Sequence, residues 1–477
     1  MRPATVDCES LRRAVPHATI LTAEADLRAR ARDWWPLARL REVRGDAPAY
    51  PSAVVLPATT QEVAQILGWA TESSTAVVPR GLGSGVCGGV VPPEGSLVID
   101  MSRMNRILEV DLVSQVTNVE AGIQGDVLEA KLNAQGLTVG HYPQSMALSS
   151  VGGWIAASGA GQAASGYGPI ETRVLGMTVV LADGSVIRLP ARPRTAAGPD
   201  LRRLLVGSEG ILGIVTEASL ACAPFDPDVS WQAFGYPSFS AVATASREIN
   251  RAGVGPRIIR GYDEADSVAA FFAPFGHSEG CVGLVAIARS APGLADRQAT
   301  VAQISESAGS RPLDPAYGDH WWNHRFDAVT TFENIMGPRR ALGPGSIIDT
   351  VEVAGLWRDL DAIYAAVDAS LREQADEHRC HFSHVYPSGA ALYFTFILRS
   401  TDDFSAEPHY LETWRSLMEA CHGAGGTVAH HHGMGRLKAA ALPADIGPES
   451  TELLRRVKSA LDPAGILNPG ALLTAPV

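Results

Sequence analysis

The sequence predicts an α+β protein of at least two domains. Three observations carry that reading. The chain has 477 residues, more than a single hydrophobic core can serve. Its first half carries three glycine-rich blocks, the first fed by a short apolar run of strand type and the third running into one. Beyond Pro224 the pattern changes to strand-like pieces alternating with long helical ones, the signature of a second α+β unit. With 46% hydrophobic and 19% charged residues the chain reads as globular. A net charge of −12 argues against a nucleic-acid partner and for small-molecule chemistry. The six cysteines are scattered, without CxxC spacing, which predicts a reducing compartment. Arg2, Asp7, Glu9, Arg12 and Arg13 precede any apolar run, no stretch reaches membrane-spanning length, and the last four residues match no targeting address. A cytoplasmic protein without a membrane span is expected.

Taken in order, residues 1–49 are charged and arginine-rich, with helical spacing at Leu27, Ala31 and Trp35, and are expected to form a helical arm. Thr59 and Glu62 make a capping box ahead of an amphipathic helix through Val63, Ile66, Leu67 and Ala70. The run Thr75–Val78 then enters the loop Pro79-Arg80-Gly81-Leu82-Gly83-Ser84-Gly85. Leu97–Asp100, Ile107–Asp111 and Gln115–Glu120 read as strands, and Gln124–Gln135 as a helix. A second block of small residues spans Val151–Gly161. Val174–Leu181, Asp183-Gly184 and Ser185–Leu189 form a hairpin. A third glycine cluster, Gly207–Gly213, runs into a strand at Ile214. Pro224–Pro227 marks a boundary. After it come strands at Cys281–Ala288, Ile347–Val353 and Ala391–Leu398, and helices at Ser238–Ala252, Leu356–Ala375 and Glu407–Gly423. The last fifty residues return to loop plus helix, ending in the turn Asn468-Pro469-Gly470.

The glycine blocks carry the first functional signal. A bare backbone that tolerates φ > 0 can bring successive N–H groups against a ligand, and such a concavity suits a diphosphate. Arg80 adds a fixed positive charge. Glycine-rich turns also connect strands in structural proteins, so the loop alone leaves both readings open.

Several motifs recurring in order narrow the choice: VVLPATTQEV, VPRGLGSGVCGG, SRMNRILEVD, VEAGIQGDVLE, VGGWIAASGAG and GSEGILGIVTEA. Over about residues 50–224 they resemble the FAD-binding domain of the vanillyl-alcohol oxidase family, the PCMH-type flavoenzymes. Within it, Gly140-His141-Tyr142-Pro143-Gln144-Ser145, Tyr386–Phe394 and His430–Leu437 resemble stretches of the alkyldihydroxyacetonephosphate synthase branch. The resemblance implies a PCMH-type domain of two α+β subdomains (50–224), a cap or substrate domain (225–425) and a segment returning to the first domain (426–477). It implies FAD, held without a covalent bond because Cys87 lies in the diphosphate loop. The cofactor residues it points to are Pro79, Arg80, Gly81, Leu82, Gly83, Ser84 and Gly85; His141, Pro143 and Ser145; Val151, Gly152, Gly153, Ala156, Ala157 and Ser158; and Gly207, Glu209, Gly210, Gly213 and Ile214. The glycolate and D-lactate dehydrogenase branch is the nearest rival. Its HGDGNLH is absent, and His431 stands where that branch has Glu, so no metal is expected.

Candidates for chemistry lie in the second half. Tyr393 alternates with core positions Leu392 and Phe394, as a buried strand would, but the branch motif makes it a proton acceptor whose pKa neighbouring histidines or cations would lower. His430, His431 and His432 suit acid–base work or tuning of Tyr393. If that stretch is extended, His430 and His432 share a face and His431 does not. Arg339 and Arg340 are candidates to clamp an anionic substrate, or else surface arginines. Trp321, Trp322 and His324 are candidates to line a pocket. Two activities follow from the resemblance. One is a redox-neutral, synthase-like reaction on a small, anionic substrate. The other is hydride abstraction from an alcohol or 2-hydroxy acid, with the electron acceptor open. A homodimer is a further possibility.

Overall fold

The computed structural model describes residues 6–46 and 50–474. Arg2 and the last three residues, on which part of the targeting expectation rests, lie outside them, as do residues 47–49 at the expected edge of the arm.

The arm is more than a helix. Its helices Cys8–Ala14, Glu24–Ala29 and Pro36–Arg44 are joined by a strand, Thr19–Leu21, that pairs antiparallel with Ala53–Leu56. Ala53–Leu56, Leu97–Asp100 and Val77–Arg80 follow as parallel neighbours, completing a four-stranded sheet. Helix Thr60–Glu72 covers it. Thr59 caps that helix by accepting from the Glu62 N–H at 3.1 Å, and Glu62 reaches back to the Ala58 N–H. Val63, Ile66 and Leu67 on this helix pack with Val180 and Ile214 of a second sheet. That sheet has five strands in the order Ile107–Asp111, Val116–Glu120, Ile214–Ala221, Val174–Val180 and Val186–Leu189, all antiparallel.

The third sheet has seven antiparallel strands, and its central strands set the candidate site. From its third strand to one edge the order is Cys281–Ala288, Ile258–Tyr262, Glu377–Val385, Gly389–Arg399 and Ser346–Leu356. One face carries Ile259, Phe382, Leu392, Phe394 and Phe396, buried under helices that include Phe239–Arg251, Leu360–Gln374 and Asp403–Gly423. Period-two alternation puts Arg260, Arg379, His381, Tyr393 and Thr395 on the opposite face. A register shift between Phe382 and His384 breaks the alternation, so that Ser383 and His384 both turn to the same cavity.

The tail stitches the first sheet. Leu467 bridges Val77, and Asn468 Nδ2 donates to the carbonyls of Gly89 (2.9 Å) and Glu209 (2.7 Å). No helix among the described residues is long and apolar enough to cross a membrane.

Candidate active site

A cavity of about 710 Å³ runs from the three glycine blocks to the open face of the seven-stranded sheet. Of the cofactor residues named above, all but Val151, Ser158 and Gly207 line it. Those three stand behind the wall: Val151 is fully buried in the core, and Gly207 donates to the Ile155 carbonyl at 2.9 Å. The first loop owes its shape to two contacts. Gly83 has φ +73°, and a Cβ there would overlap the Arg80 guanidinium folded beneath it. Gly210, at φ +77°, would likewise strike Pro79. Arg80 Nη1 is anchored on the Arg32 carbonyl at 3.0 Å.

The arm contributes to the wall through Asp33 and Trp34, which sequence reading left out. Asp33 is 1% exposed, one carboxylate oxygen has no partner, and burial pushes its pKa to about 6. Both ring nitrogens of His141 are also buried and unpartnered, and burial lowers that imidazole to about 3. Unsatisfied polar atoms around a glycine cradle are what a nucleotide-sized ligand with hydroxyls and ring heteroatoms would satisfy.

Glu209 bolts the two lobes together. Its carboxyl accepts from the backbone N–H of Met434 (2.7 Å) and Gly435 (2.9 Å). Burial raises its pKa to about 7, partly opposed by those hydrogen bonds. The folded state therefore holds this proton more tightly than the unfolded chain, with its ordinary value of 4.5. The group's contribution to stability is complete below that value and is lost as pH rises through 7. Glu209→Gln is expected to narrow the difference between denaturation midpoints measured at about pH 5 and about pH 8, by removing that decline. An unchanged difference would show that Glu209 ionises freely in the fold.

The other end of the cavity holds the chemistry. The Tyr393 hydroxyl donates to Thr350 Oγ1 at 3.0 Å. His381 stacks on the Tyr393 ring at 5.0 Å, His431 lies roughly parallel at 6.0 Å, and His432 meets it edge-on at 5.7 Å. The expectation that neighbours would lower the Tyr393 pKa is corrected. Burial, with the Glu352 and Asp349 charges, raises it above the ordinary 10. The imidazoles do not offset this, because burial keeps His384, His430 and His431 neutral, His430 at about 4.

The histidine run does not alternate as a strand would. It is bent, so His431 and His432 both line the cavity while His430 turns behind them. His430 Nε2 meets the Tyr386 hydroxyl at 3.0 Å and its Nδ1 meets His431 Nδ1 at 2.9 Å. His384, His430 and His431 bring ring nitrogens within 4.8 Å of one another. The hydrogen bonds just described already use the nitrogens of His430 and one of His431.

The structure places neither Arg339 nor Arg340 in the cavity. Arg340 forms an ion pair with Asp403, which is 63 residues away in sequence, and Arg339 donates to Asn334 Oδ1 at 3.0 Å. The cations that line the cavity are Arg80, Arg260, Arg325 and Arg379. Arg379 is paired with Asp266 at 3.1 Å. Arg260 is only 4% exposed and, among the described residues, has no carboxylate partner. Its Nε donates to the Tyr262 hydroxyl at 2.7 Å, and its guanidinium lies over Trp321 at 4.6 Å. Arg325 packs over Trp322 at 3.7 Å, and burial lowers its pKa to about 10. Trp321 and His324 line the cavity; Trp322 serves Arg325 instead.

A glycine cradle in one lobe faces a phenol ringed by imidazoles in the other, the arrangement expected of an FAD-dependent enzyme. Comparison with known proteins agrees. Residues 51–190 match the family described as "FAD binding domain", and residues 228–472 match "FAD linked oxidases, C-terminal domain". The chain belongs to the FAD-linked oxidases, and FAD is its cofactor. It is 30% identical over 479 residues to alkyldihydroxyacetonephosphate synthase of Trypanosoma brucei brucei, covering 93% of this chain and 76% of the relative. Glycolate oxidase subunit GlcD of Bacillus subtilis is 29% identical, covering 88% of this chain and 89% of that one. A solved alkyldihydroxyacetonephosphate synthase superimposes with a TM-score of 0.80 at 22% identity, covering 98% of this chain and 86% of that one.

Proposed function

We propose that this FAD enzyme removes a proton from a small anionic substrate in a synthase-like, redox-neutral reaction. The observation that supports it best is Arg260, buried and without a carboxylate partner, close enough to Tyr393 for its charge to act on the phenol. A desolvated guanidinium is a strong site for a carboxylate or phosphate. Tyr393 faces the same space with neutral imidazoles at its flanks; each has one bare ring nitrogen that can take a proton in passing, and burial, which weakens these rings as bases, favours handing it on. The chain's part is thus divided. Arg260 holds the anion, Tyr393 passes a proton between substrate and the histidines, and Trp321 and Phe271 keep water from the pocket. Bound FAD supplies a ring that takes up an electron pair from the substrate.

Hydride withdrawal from an alcohol or 2-hydroxy acid is the second reading, favoured by the relationship to a glycolate oxidase subunit. There Arg260 would hold the carboxylate and Tyr393 or His432 would take the hydroxyl proton. One experiment separates the two. The yellow holoprotein is mixed without air with acyl-ketone phosphates and with 2-hydroxy acids in D₂O. Exchange of a substrate C–H for deuterium with the flavin still yellow supports the first reading. Bleaching that oxygen or a dye restores supports the second.

A further inference from the structure

Behind Tyr393 lies a fully buried charge group that neither proposed step uses. Glu352 sits directly opposite Tyr393 in the strand register, and it and Lys438 are both 0% exposed. Glu352 Oε1 accepts from Lys438 Nζ at 2.9 Å and from the backbone N–H of His432 at 3.0 Å. Lys438 Nζ also donates to the Val428 carbonyl at 2.8 Å and lies 5.5 Å from the Trp414 ring centre. The second oxygen, Oε2, lies 2.9 Å from His432 Nδ1, off the ideal hydrogen-bond line, and neither atom has any other partner.

That pairing fixes a proton. Burial pushes the Glu352 carboxyl up, but the Lys438 ammonium and the hydrogen bonds donated to Glu352 outweigh it and hold the group well below the usual carboxylate range, so its oxygens carry no hydrogen. If Nδ1 also lacked one, two lone pairs would meet at 2.9 Å in a dry interior, leaving both groups repelled and unsatisfied. The hydrogen therefore belongs on Nδ1, and in the neutral ring Nε2 is then the bare nitrogen. His432 lines the cavity beside Tyr393, so the bare nitrogen is the one left for the ligand side.

We propose that Glu352 is a positioning residue: it holds both the backbone and the ring of His432, sets the Nδ1–H tautomer, and leaves Nε2 as a proton acceptor in the cavity, with Lys438 balancing its charge. The tautomer follows from the fold; its use as an acceptor rests on the acid–base reading above.

The test reads the proton directly. Holoprotein labelled with ¹⁵N-histidine is examined by long-range ¹H–¹⁵N correlation, and His432 is assigned among the thirteen histidines by its loss in His432→Asn. A protonated-type Nδ1 and a bare-type Nε2 are expected. The reverse pattern overturns the proposal, whatever the substrate experiments show. The charge-balanced double variant Glu352→Gln with Lys438→Met keeps volume and avoids an unpaired buried charge. In folded, yellow double variant the His432 pattern is expected to shift toward a mixture of tautomers. An unchanged pattern removes Glu352 from the role, because a merely structural contact would alter the unfolding midpoint and not the ring nitrogens. If the double variant does not take up FAD, the wild-type spectrum alone decides.

Discussion

Tyr393→Phe is expected to lower turnover at least a hundredfold while the protein stays yellow. The substitution removes one oxygen and leaves the ring stacked on His381 at 5.0 Å. The hydroxyl's hydrogen bond goes to Thr350, so the loss to stability should be about 1 kcal/mol, the net value of one such bond. Loss of a group that moves a proton in the transition state costs about 10²–10⁴ in rate. The two effects separate cleanly by flavin absorbance, unfolding midpoint and kcat. Turnover within a few-fold of wild type would remove the phenol from the reaction and leave the proton transfer to His431 or His432.

Arg260→Met should act on the other half of the site. Methionine keeps most of the apolar length against Trp321 and leaves no charge. Truncating one partner of a buried charge pair costs about 2–5 kcal/mol, which at 1.4 kcal/mol per decade is about 30-fold to several thousand-fold in kcat/KM. The larger part should fall on KM, because anion holding is common to ground and transition states. Arg260→Lys should recover some affinity but not the forked geometry or the bond to Tyr262. Arg339→Ala and Arg340→Ala serve as controls. Neither side chain lines the cavity, so KM should hardly move, although Arg340→Ala should cost some stability through its partner Asp403. A large KM effect at Arg340 with none at Arg260 would overturn the assignment of the anion site.

These contrasts show where the sequence was readable. The glycine cradle was, because the constraint is local: Gly83 and Gly210 need φ > 0, and a Cβ at either meets a neighbouring side chain. The strand bearing Tyr393 was too, since Leu392, Phe394 and Phe396 alternate with the less buried Tyr393 and Thr395. The arginine clamp was not. Arg339 and Arg340 attract notice as an adjacent pair, yet the partner of Arg340 arrives from 63 residues away. Arg260 gave a quieter signal, a lone charge inside the apolar strand Ile258–Tyr262. The turn of His384 into the cavity depends on a bulge, and that of His431 on a bend; a period-two rule foresees neither. Asp33 and Trp34 were hidden for the opposite reason. They sit in a charged arm whose composition reads as solvent-facing.

The ties made by Asn468 carry a consequence for biogenesis. Its amide grips the carbonyl of Gly89, 379 positions earlier, and that of Glu209, 259 positions earlier. During synthesis both glycine blocks therefore leave the ribosome long before the clasp that fixes their spacing exists. Coenzyme capture should be a late event, following the emergence of residues 466–472 rather than that of the glycine blocks. A ribosome-stalled nascent chain lacking residues 466–472 should stay colourless even with every diphosphate-facing amide already made.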